Sequence, residues 1–555
     1  MKTLIIGGVA GGASAAARLR RLKEDETIII AERGEYVSFA NCGLPYYIGG
    51  VITDRERLTL QTPQSFKERF NVEVRVRTEA VQILPEAKMA VLKDLATGDI
   101  YNESYDNLIL SPGARPVKPN IEGVEADGVF TLRNIPDTLK IKEFINQRKP
   151  RDGVIVGGGY IGLEMAENLK HAGMNVTVVE LSEHLIPSFD YDMAAGIHRY
   201  IKAQGINLCL NNGLKAIKEG RVILQNGELK ADMVILSAGV RPDTQFLRGA
   251  VPLNERDGII TDSHMRTDIP NIYAVGDAAE IRNFVSGRPA LIPLAGPANR
   301  QGRIAADNIA GIPSEYKGSQ GSAVLKLFDM TAAATGLNER EAAQSGLDYD
   351  KTYIYSAPHA SYYPGGRNMS IKALWDKKTY KLLGAQLVGF DGVDKRADVL
   401  AAAIRLGAKI TDLAGLELCY APPFGSAKDP VNMLGFIAEN VITQRVKQFF
   451  WHDVEKLPRD GSVILLDVRT PLEASRGMIK GFKNIPLDSL RERINELPKG
   501  KCVYVHCHSG LRSYIACRIL AGHGYDCYNL AGGWQLYESA VNERTAPEYI
   551  CTQYR

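Results

Sequence analysis

Short apolar runs that stop on glycine, each followed by an amphipathic stretch, occur at two places in the chain. The first is KTLIIGGVAGGASAAARLRRL from Lys2, followed by TIIIAERG from Thr27. The second is GVIVGGGYIGLEMAENLKHAG from Gly153, followed by NVTVVELS from Asn175. The apolar Leu4–Ile6 run ends at once in glycine, which predicts a buried strand and not a secretion signal. Both stretches predict strand, glycine turn, helix, strand. Gly7, Gly8, Gly11 and Gly12 in one, and Gly157, Gly159 and Gly162 in the other, let a pyrophosphate approach a helix N-terminus. The second strands end in Glu32 and Glu180, where a carboxylate can bond ribose hydroxyls. A lone glycine turn means little, but two with their acids predict two dinucleotide sites. The first turn departs from GxGxxG, with Val9 at the middle glycine; the second keeps all three.

A later strand, TDIPNIYAVGDAAE (267–280), ends in Gly276 and Asp277. It resembles the segment with which two-dinucleotide flavoproteins hold the ribityl-phosphate region of FAD. Ser111-Pro112-Gly113 and Ser237-Ala238-Gly239 resemble their crossover turns. The layout expected is an FAD-binding domain at 1–115 plus 246–320 and an NAD(P)H-binding domain at 116–245. A dimerisation domain at 321–442, a linker at 443–457 and a last domain at 458–555 follow. Composition changes this picture little. With 555 residues, 45% hydrophobic, 24% charged and a net charge of +3, the chain predicts several soluble domains. That charge argues against a nucleic-acid partner, and no apolar run is long enough to span a membrane. Eight cysteines without a CxxC pair favour reduced thiols and a cytoplasmic setting.

The chemistry centres on SFANCGLPYYIGG (38–50), in which Cys42 is the sole cysteine. This motif resembles the single-cysteine branch of the pyridine nucleotide-disulfide oxidoreductases, and within it the coenzyme A-disulfide reductases and NADH-dependent persulfide reductases. The likeness covers about residues 1–440. It implies two Rossmann-like domains, FAD and a nicotinamide nucleotide, with further cofactor contacts at Arg33, Val81, Ala295, Tyr160, Ile161 and Gly239. With no second cysteine nearby, Cys42 must alternate between a free thiol and a mixed disulfide or oxidised sulfur. The flavin and a helix N-terminus are expected to favour its thiolate. Glu180 would repel a 2′-phosphate, and no arginine follows in LSEHLIPSFD, so NADH is expected over NADPH.

HASYYPGG (359–366) and CYAPPFGSAKDP (419–430) resemble segments that bring tyrosines from the partner subunit of a homodimer. They give Tyr362 and Tyr420 as catalytic groups, with Tyr363 read as packing. Ser14, Arg18 and Arg21 share one face of the first helix. With Ser38, Asn41 and Lys428 they match coenzyme A-binding positions of that family.

ILLDVRTPLEASRGMIKGFKNIPL (464–487) and YVHCHSGLRSYIACRIL (504–520) resemble a rhodanese domain. The loop Cys507–Arg512 has six residues, the size that holds a persulfide sulfur; the following helix and Arg512 favour negative charge on Cys507. Asp467, Arg469 and Glu473 match a structural charge network, Met478 replaces a common histidine, and Cys502, Cys517 and Cys527 read as core. The fold class expected is α/β: two Rossmann-like domains, an α+β dimerisation domain and an α/β rhodanese domain. The function implied is NADH-dependent reduction of coenzyme A persulfide, polysulfide and coenzyme A disulfide, with sulfane sulfur carried on Cys507. The alternatives are an NADH peroxidase or oxidase, and a non-enzymatic sulfur carrier or redox sensor. Ala10, where the peroxidase branch usually carries histidine, argues against the former. No metal site is expected.

Overall fold

The computed structural model describes residues 1–545, which fall into two compact units: 1–182 with 205–321, and 183–204 with 322 onward. The first unit holds two parallel five-stranded sheets. One has the order Ile272–Ala274, Asn107–Leu110, Lys2–Ile6, Thr27–Ala31, Glu73–Arg75. The other runs Ile206–Cys209, Asn175–Val179, Asp152–Val156, Met233–Leu236, Val129–Thr131. Leu4, Ile5, Ile29, Ile30, Leu108 and Ile109 are all buried. Such strands are covered on both faces, so their sequences are continuously apolar and do not alternate. The helix Ala10–Leu22 crosses the helix Ala295–Ile309 at glycines. A Cβ on Gly302 would come within 2.3 Å of the Gly11 carbonyl oxygen. That crossing brings the two helices to backbone contact.

The second unit has an antiparallel five-stranded sheet in the order Ala323–Leu327, Met330–Gly336, Leu382–Gly389, Met369–Asp376, Tyr349–Ser356. It also has a parallel sheet in the order Lys447–Phe449, Cys527–Leu530, Val503–His506, Ile464–Asp467, Lys483–Asn484. The mixed α/β class agrees with the sequence reading. Within 443–457, expected as a linker, Lys447–Phe449 forms an edge strand of this last sheet. The helix Tyr191–Ala203 lies in the stretch assigned to NAD(P)H binding, yet it groups with the second unit.

That grouping has an electrostatic cause. Lys372, on a central strand of the antiparallel sheet, is fully buried. Its ammonium lies 2.8 Å from Asp190, 2.9 Å from Asp192 and 2.5 Å from Glu339. Asp190 precedes the helix Tyr191–Ala203 without a side-chain capping bond and exchanges hydrogen bonds with the Gln386 side chain. Asp192 accepts from Tyr353 and, at 3.2 Å, from the Trp451 indole. Burial works against the Lys372 charge, but the surrounding carboxylates hold it well above the ordinary lysine range. Burial likewise works against ionised Glu339, yet Lys372 and Lys351 bring its carboxyl down to about 2. Lys372→Met leaves buried carboxylates without their central cation and is expected to lower unfolding stability by about 3–5 kcal/mol. Chemical denaturation measures this, and an unchanged midpoint would refute the hub.

Candidate functional site

Two cradles are built by backbone contacts too close for any side chain. Gly7 has φ +92°, and a Cβ there would lie 2.1 Å from the Ser111 carbonyl oxygen. A Cβ on Gly12 would lie 1.9 Å from the Gly7 carbonyl oxygen. Gly157 and Gly162 repeat the arrangement, at 2.3 Å from Ser237 and 2.0 Å from Gly157. Glu32 accepts the Gly8 and Gly34 amides, at 2.8 and 2.7 Å. Glu180 accepts those of Gly158 and Ser182 in the same way, at 2.7 and 2.8 Å. Neither following helix has an acid in its first turn. Their N-terminal N–H groups therefore suit an anion. A Cβ on Gly159 or Gly239 would meet nothing within 4 Å, and Tyr160 and Ile161 open the second helix. Both cradles fit a dinucleotide pyrophosphate.

Around the first cradle, Gly11 lies under Val275 and Gly276, and the Gly276 amide donates to Gln301. Asp277 pairs with Arg133 at 3.1 Å. Ala295 is the exposed first residue of its helix. Val81 is exposed, and Arg33 is held by Asp243 at 2.7 Å and Glu79 at 3.7 Å.

Ser38, at φ +47°, donates its amide to the Gly8 carbonyl at 2.9 Å. This fixes the segment carrying Asn41 and Cys42 to the first glycine turn. Cys42 sits in the short turn Asn41–Gly43 and is exposed. The expected thiolate bias is not found in the polypeptide. The next helix, Leu44–Ile48, has only five residues. Partial burial of the sulfur, followed by Glu164 and Asp277, pushes the thiol up, with Arg133 opposing. Glu164 accepts from the Tyr46 hydroxyl at 3.3 Å, and burial pushes its carboxyl up to about 7. The sequence reading missed Glu164, Tyr46 and Arg133. Glu164 lies in the helix just after the second glycine turn, and only tertiary packing brings it near Cys42.

Of the helix face expected to bind coenzyme A, Arg21 alone is exposed. Ser14 donates to Asn299 at 2.8 Å. Arg18, expected as a coenzyme A contact, is in an ion pair with Asp307 at 2.7 Å. Asp307 belongs to the helix that crosses at Gly302, so the close crossing supplies the partner.

In the second unit the Tyr362 and Tyr420 hydroxyls lie 3.0 Å apart, on side chains that are 73% and 48% exposed. Their hydrogen bond raises the Tyr362 phenol. The Tyr363 ring packs edge-on against His359 at 5.4 Å. Lys428 is exposed beside Asp429, which is buried on Arg396 at 2.7 Å.

Also in this unit, Cys507 follows the strand Val503–His506 and is fully buried. Its sulfur accepts from the Gly510 amide at 3.1 Å and the Ser513 hydroxyl at 3.2 Å. Gly510, at φ +101°, turns the loop into the helix Leu511–Gly522. The Trp534 and Gln535 amides bond the Cys507 and His508 carbonyls, at 2.8 and 2.9 Å. Arg512 makes two bonds to Glu473, at 2.8 and 2.6 Å, and these bring the Glu473 carboxyl down to about 2. Buried Asp467 pairs with Arg469 at 2.8 Å. Cys517 and Cys527 are buried, whereas Cys502, expected as core, is half-exposed and lies 3.6 Å from Asp526. Met478 is exposed.

Glu164→Gln removes the carboxylate that opposes the Cys42 thiolate most strongly. Alkylation of Cys42 by iodoacetamide above neutral pH is expected to speed up about threefold. Below pH 7 the wild-type carboxyl is itself protonated and the difference should shrink. A pH profile identical in both proteins would refute the coupling.

Residues 1–302 match the family model of pyridine nucleotide-disulphide oxidoreductases, 322–430 that of their dimerisation domain and 451–540 that of the rhodanese-like domain. A coenzyme A disulfide reductase of Staphylococcus epidermidis is 37% identical over 441 residues, 79% of this chain and all of that one. Among solved structures, reduced Bacillus anthracis CoADR-RHD is 47% identical with a TM-score of 0.96, covering 98% of both chains. A NAD-dependent persulfide reductase from A. fulgidus is 35% identical with a TM-score of 0.90, covering 97% of this chain and all of that one. A water-forming NADH oxidase from Lactobacillus brevis is 28% identical with a TM-score of 0.77, covering 80% of this chain and 99% of that one. By its sequence matches, with two glycine cradles and the exposed Cys42 in the matched region, the chain belongs to the pyridine nucleotide-disulphide oxidoreductase family, with a rhodanese-like domain following its dimerisation domain.

Proposed function

We propose that this protein is an NADH-dependent FAD enzyme that reduces coenzyme A persulfide, polysulfide and coenzyme A disulfide at Cys42, while Cys507 carries sulfane sulfur. The observation that carries the reading is the lone thiol. Among the described residues of the first unit the other cysteine is Cys209, which is buried in a strand. An exposed thiol without a partner cannot close an internal disulfide, so its oxidised form is a bond to a substrate sulfur or a sulfenic acid, and Ala10 in place of a histidine favours the former.

Gly7–Gly12, Glu32, Gly276, Asp277 and Ala295 would hold FAD; Gly157–Gly162, Glu180 and Gly239 would hold the nicotinamide nucleotide. FAD bound there supplies the two-electron relay between nicotinamide and sulfur. Glu180 meets the ribose with a negative charge, which disfavours a 2′-phosphate and selects NADH. Cys42 thiolate attacks the coenzyme A sulfur of the persulfide, the S–S bond breaks, and hydrosulfide leaves. The resulting mixed disulfide accepts the electron pair of NADH and releases coenzyme A thiol and free Cys42. Coenzyme A disulfide reacts in the same way, with coenzyme A thiolate as the leaving group.

The Tyr362–Tyr420 pair holds an O–H that can be donated to the departing thiolate from across a homodimer interface. Ser14, Arg18, Arg21, Ser38, Asn41 and Lys428 supply donors for coenzyme A. At the second centre, the Gly510 amide and Ser513 hydroxyl stabilise negative charge on the Cys507 sulfur, with Arg512 at the loop's end. Among the described residues no helix is long and apolar enough to cross a membrane. A cytoplasmic setting, where free thiols persist, suits both cysteines.

An oxidase reading has the 28%-identical oxidase structure in its favour. That likeness covers 80% of the chain, and Ala10 offers no acid–base group beside the flavin. Anaerobic NADH oxidation separates the readings. Coenzyme A persulfide is expected to be turned over, with turnover lost in Cys42→Ser. Thiosulfate or polysulfide sulfurtransferase activity should survive in that variant and disappear in Cys507→Ser. Loss of both activities in one folded variant, or turnover of peroxide alone, would overturn the proposal.

A further inference from the structure

The strands Ala114–Pro116 and Val240–Pro242 pair antiparallel at the crossover between the two dinucleotide-binding halves. Their register sets Arg115 directly opposite Arg241. Like charges facing one another across a strand pair destabilise it. Elsewhere in this unit arginines meet carboxylates: Arg18 meets Asp307, Arg33 meets Asp243 and Arg133 meets Asp277. Arg115 and Arg241 are both exposed, and neither has a carboxylate partner among the described residues. They line one wall of a cavity of about 520 Å³, completed by Pro116, Val117, Lys118 and Thr131. Lys118 adds a third cation, though shared with Glu125 at 2.7 Å. Thr131 ends a parallel strand, and the carboxyl ends of such strands are where open α/β sheets place ligands.

We propose that this cavity is an anion site for a phosphate-bearing small molecule, separate from the two glycine cradles. Two facing guanidinia and a lysine outnumber the charge of a single carboxylate. A phosphate dianion or a pyrophosphate can bridge both arginines with paired N–H···O bonds. The volume exceeds what inorganic phosphate fills and lies within the usual range of small-molecule sites, about 300–1,000 Å³. Pro116 and Val117 give it an apolar side, so a nucleoside phosphate fits as well as free pyrophosphate.

The test uses the purified flavoprotein and the variant Arg115→Gln/Arg241→Gln. Titration calorimetry with pyrophosphate and with ADP, each run with and without saturating NAD⁺, distinguishes the ligand sources. A signal that persists under NAD⁺ and weakens about tenfold or more in the double variant supports the site. The stronger of the two ligands then identifies free pyrophosphate or nucleotide as the source. Binding abolished by NAD⁺ would assign the anion to the dinucleotide cradle and overturn the proposal, as would equal binding by wild type and variant. Thermal melting gives an independent check. In phosphate-free buffer the double variant should melt higher than wild type, and added pyrophosphate should close the gap. A double variant that melts lower in phosphate-free buffer would mean that the arginines support the strands, and would refute the site.

Discussion

The functional architecture rests on carbonyl-to-glycine approaches that no other residue permits. At Gly12 and Gly162 the backbone comes so near the preceding turn that a methyl group would overlap a carbonyl oxygen. That proximity sets the helix N-terminus against the strand end, and the strand's neighbour then delivers Glu32 or Glu180 to the amides of the same turn. Other features follow from the first cradle. Ser38 hangs the Cys42 segment from the Gly8 carbonyl. The Gly11–Gly302 contact sets the helix beginning at Ala295 against the first one. A side chain at any of these glycines would therefore disturb the cysteine's position as well as a ligand's.

The two cysteines proposed to carry the chemistry have opposite surroundings, and each suits a different sulfur chemistry. Cys42 is exposed, yet partial burial of its sulfur, then Glu164 and Asp277, push its thiol up, with Arg133 opposing. Cys507 is buried, but an amide and a hydroxyl aim at its sulfur and a twelve-residue helix begins behind it. The first arrangement suits a thiol that reacts when its cofactors are in place. The second suits a sulfur that is held.

Much of this was legible in the sequence because it depends on local pattern. Glycine spacing, strand-ending acids, the lone Cys42 and the six-residue Cys507 loop are each contained within about thirty residues. What was not legible depends on long-range packing. Arg18 reads as a free cation on a helix face, and only the glycine crossing with a helix almost 300 residues away reveals Asp307. Glu164 reads as an ordinary helical acid until tertiary packing partly buries it and raises its carboxyl, against the opposing bond from Tyr46. The 443–457 stretch looks like a joint because a three-residue edge strand is too short to register as a hydrophobic pattern.

Lys372 shows how the second unit holds a segment that chain order would place elsewhere. The excursion 183–204 begins three residues after Glu180, yet Asp190 and Asp192 are spent on Lys372. The helix that follows them is then bound by the chain's last described helix, Gly533–Thr545. Tyr191 donates to the Ala540 carbonyl at 3.2 Å, Lys202 meets Glu543 at 2.6 Å, and the Arg544 guanidinium lies over both Tyr191 and Trp451. A buried cation cannot be left among carboxylates that have moved away, so these contacts stand or fall together. Trp451 reaches the same Asp192 from the entry to the rhodanese-like domain. That domain is therefore not a bead on a flexible string. Excising it would uncover Asp192 and strip the excursion helix of its partners, so an isolated reductase portion should be judged first by its stability and only then by its turnover.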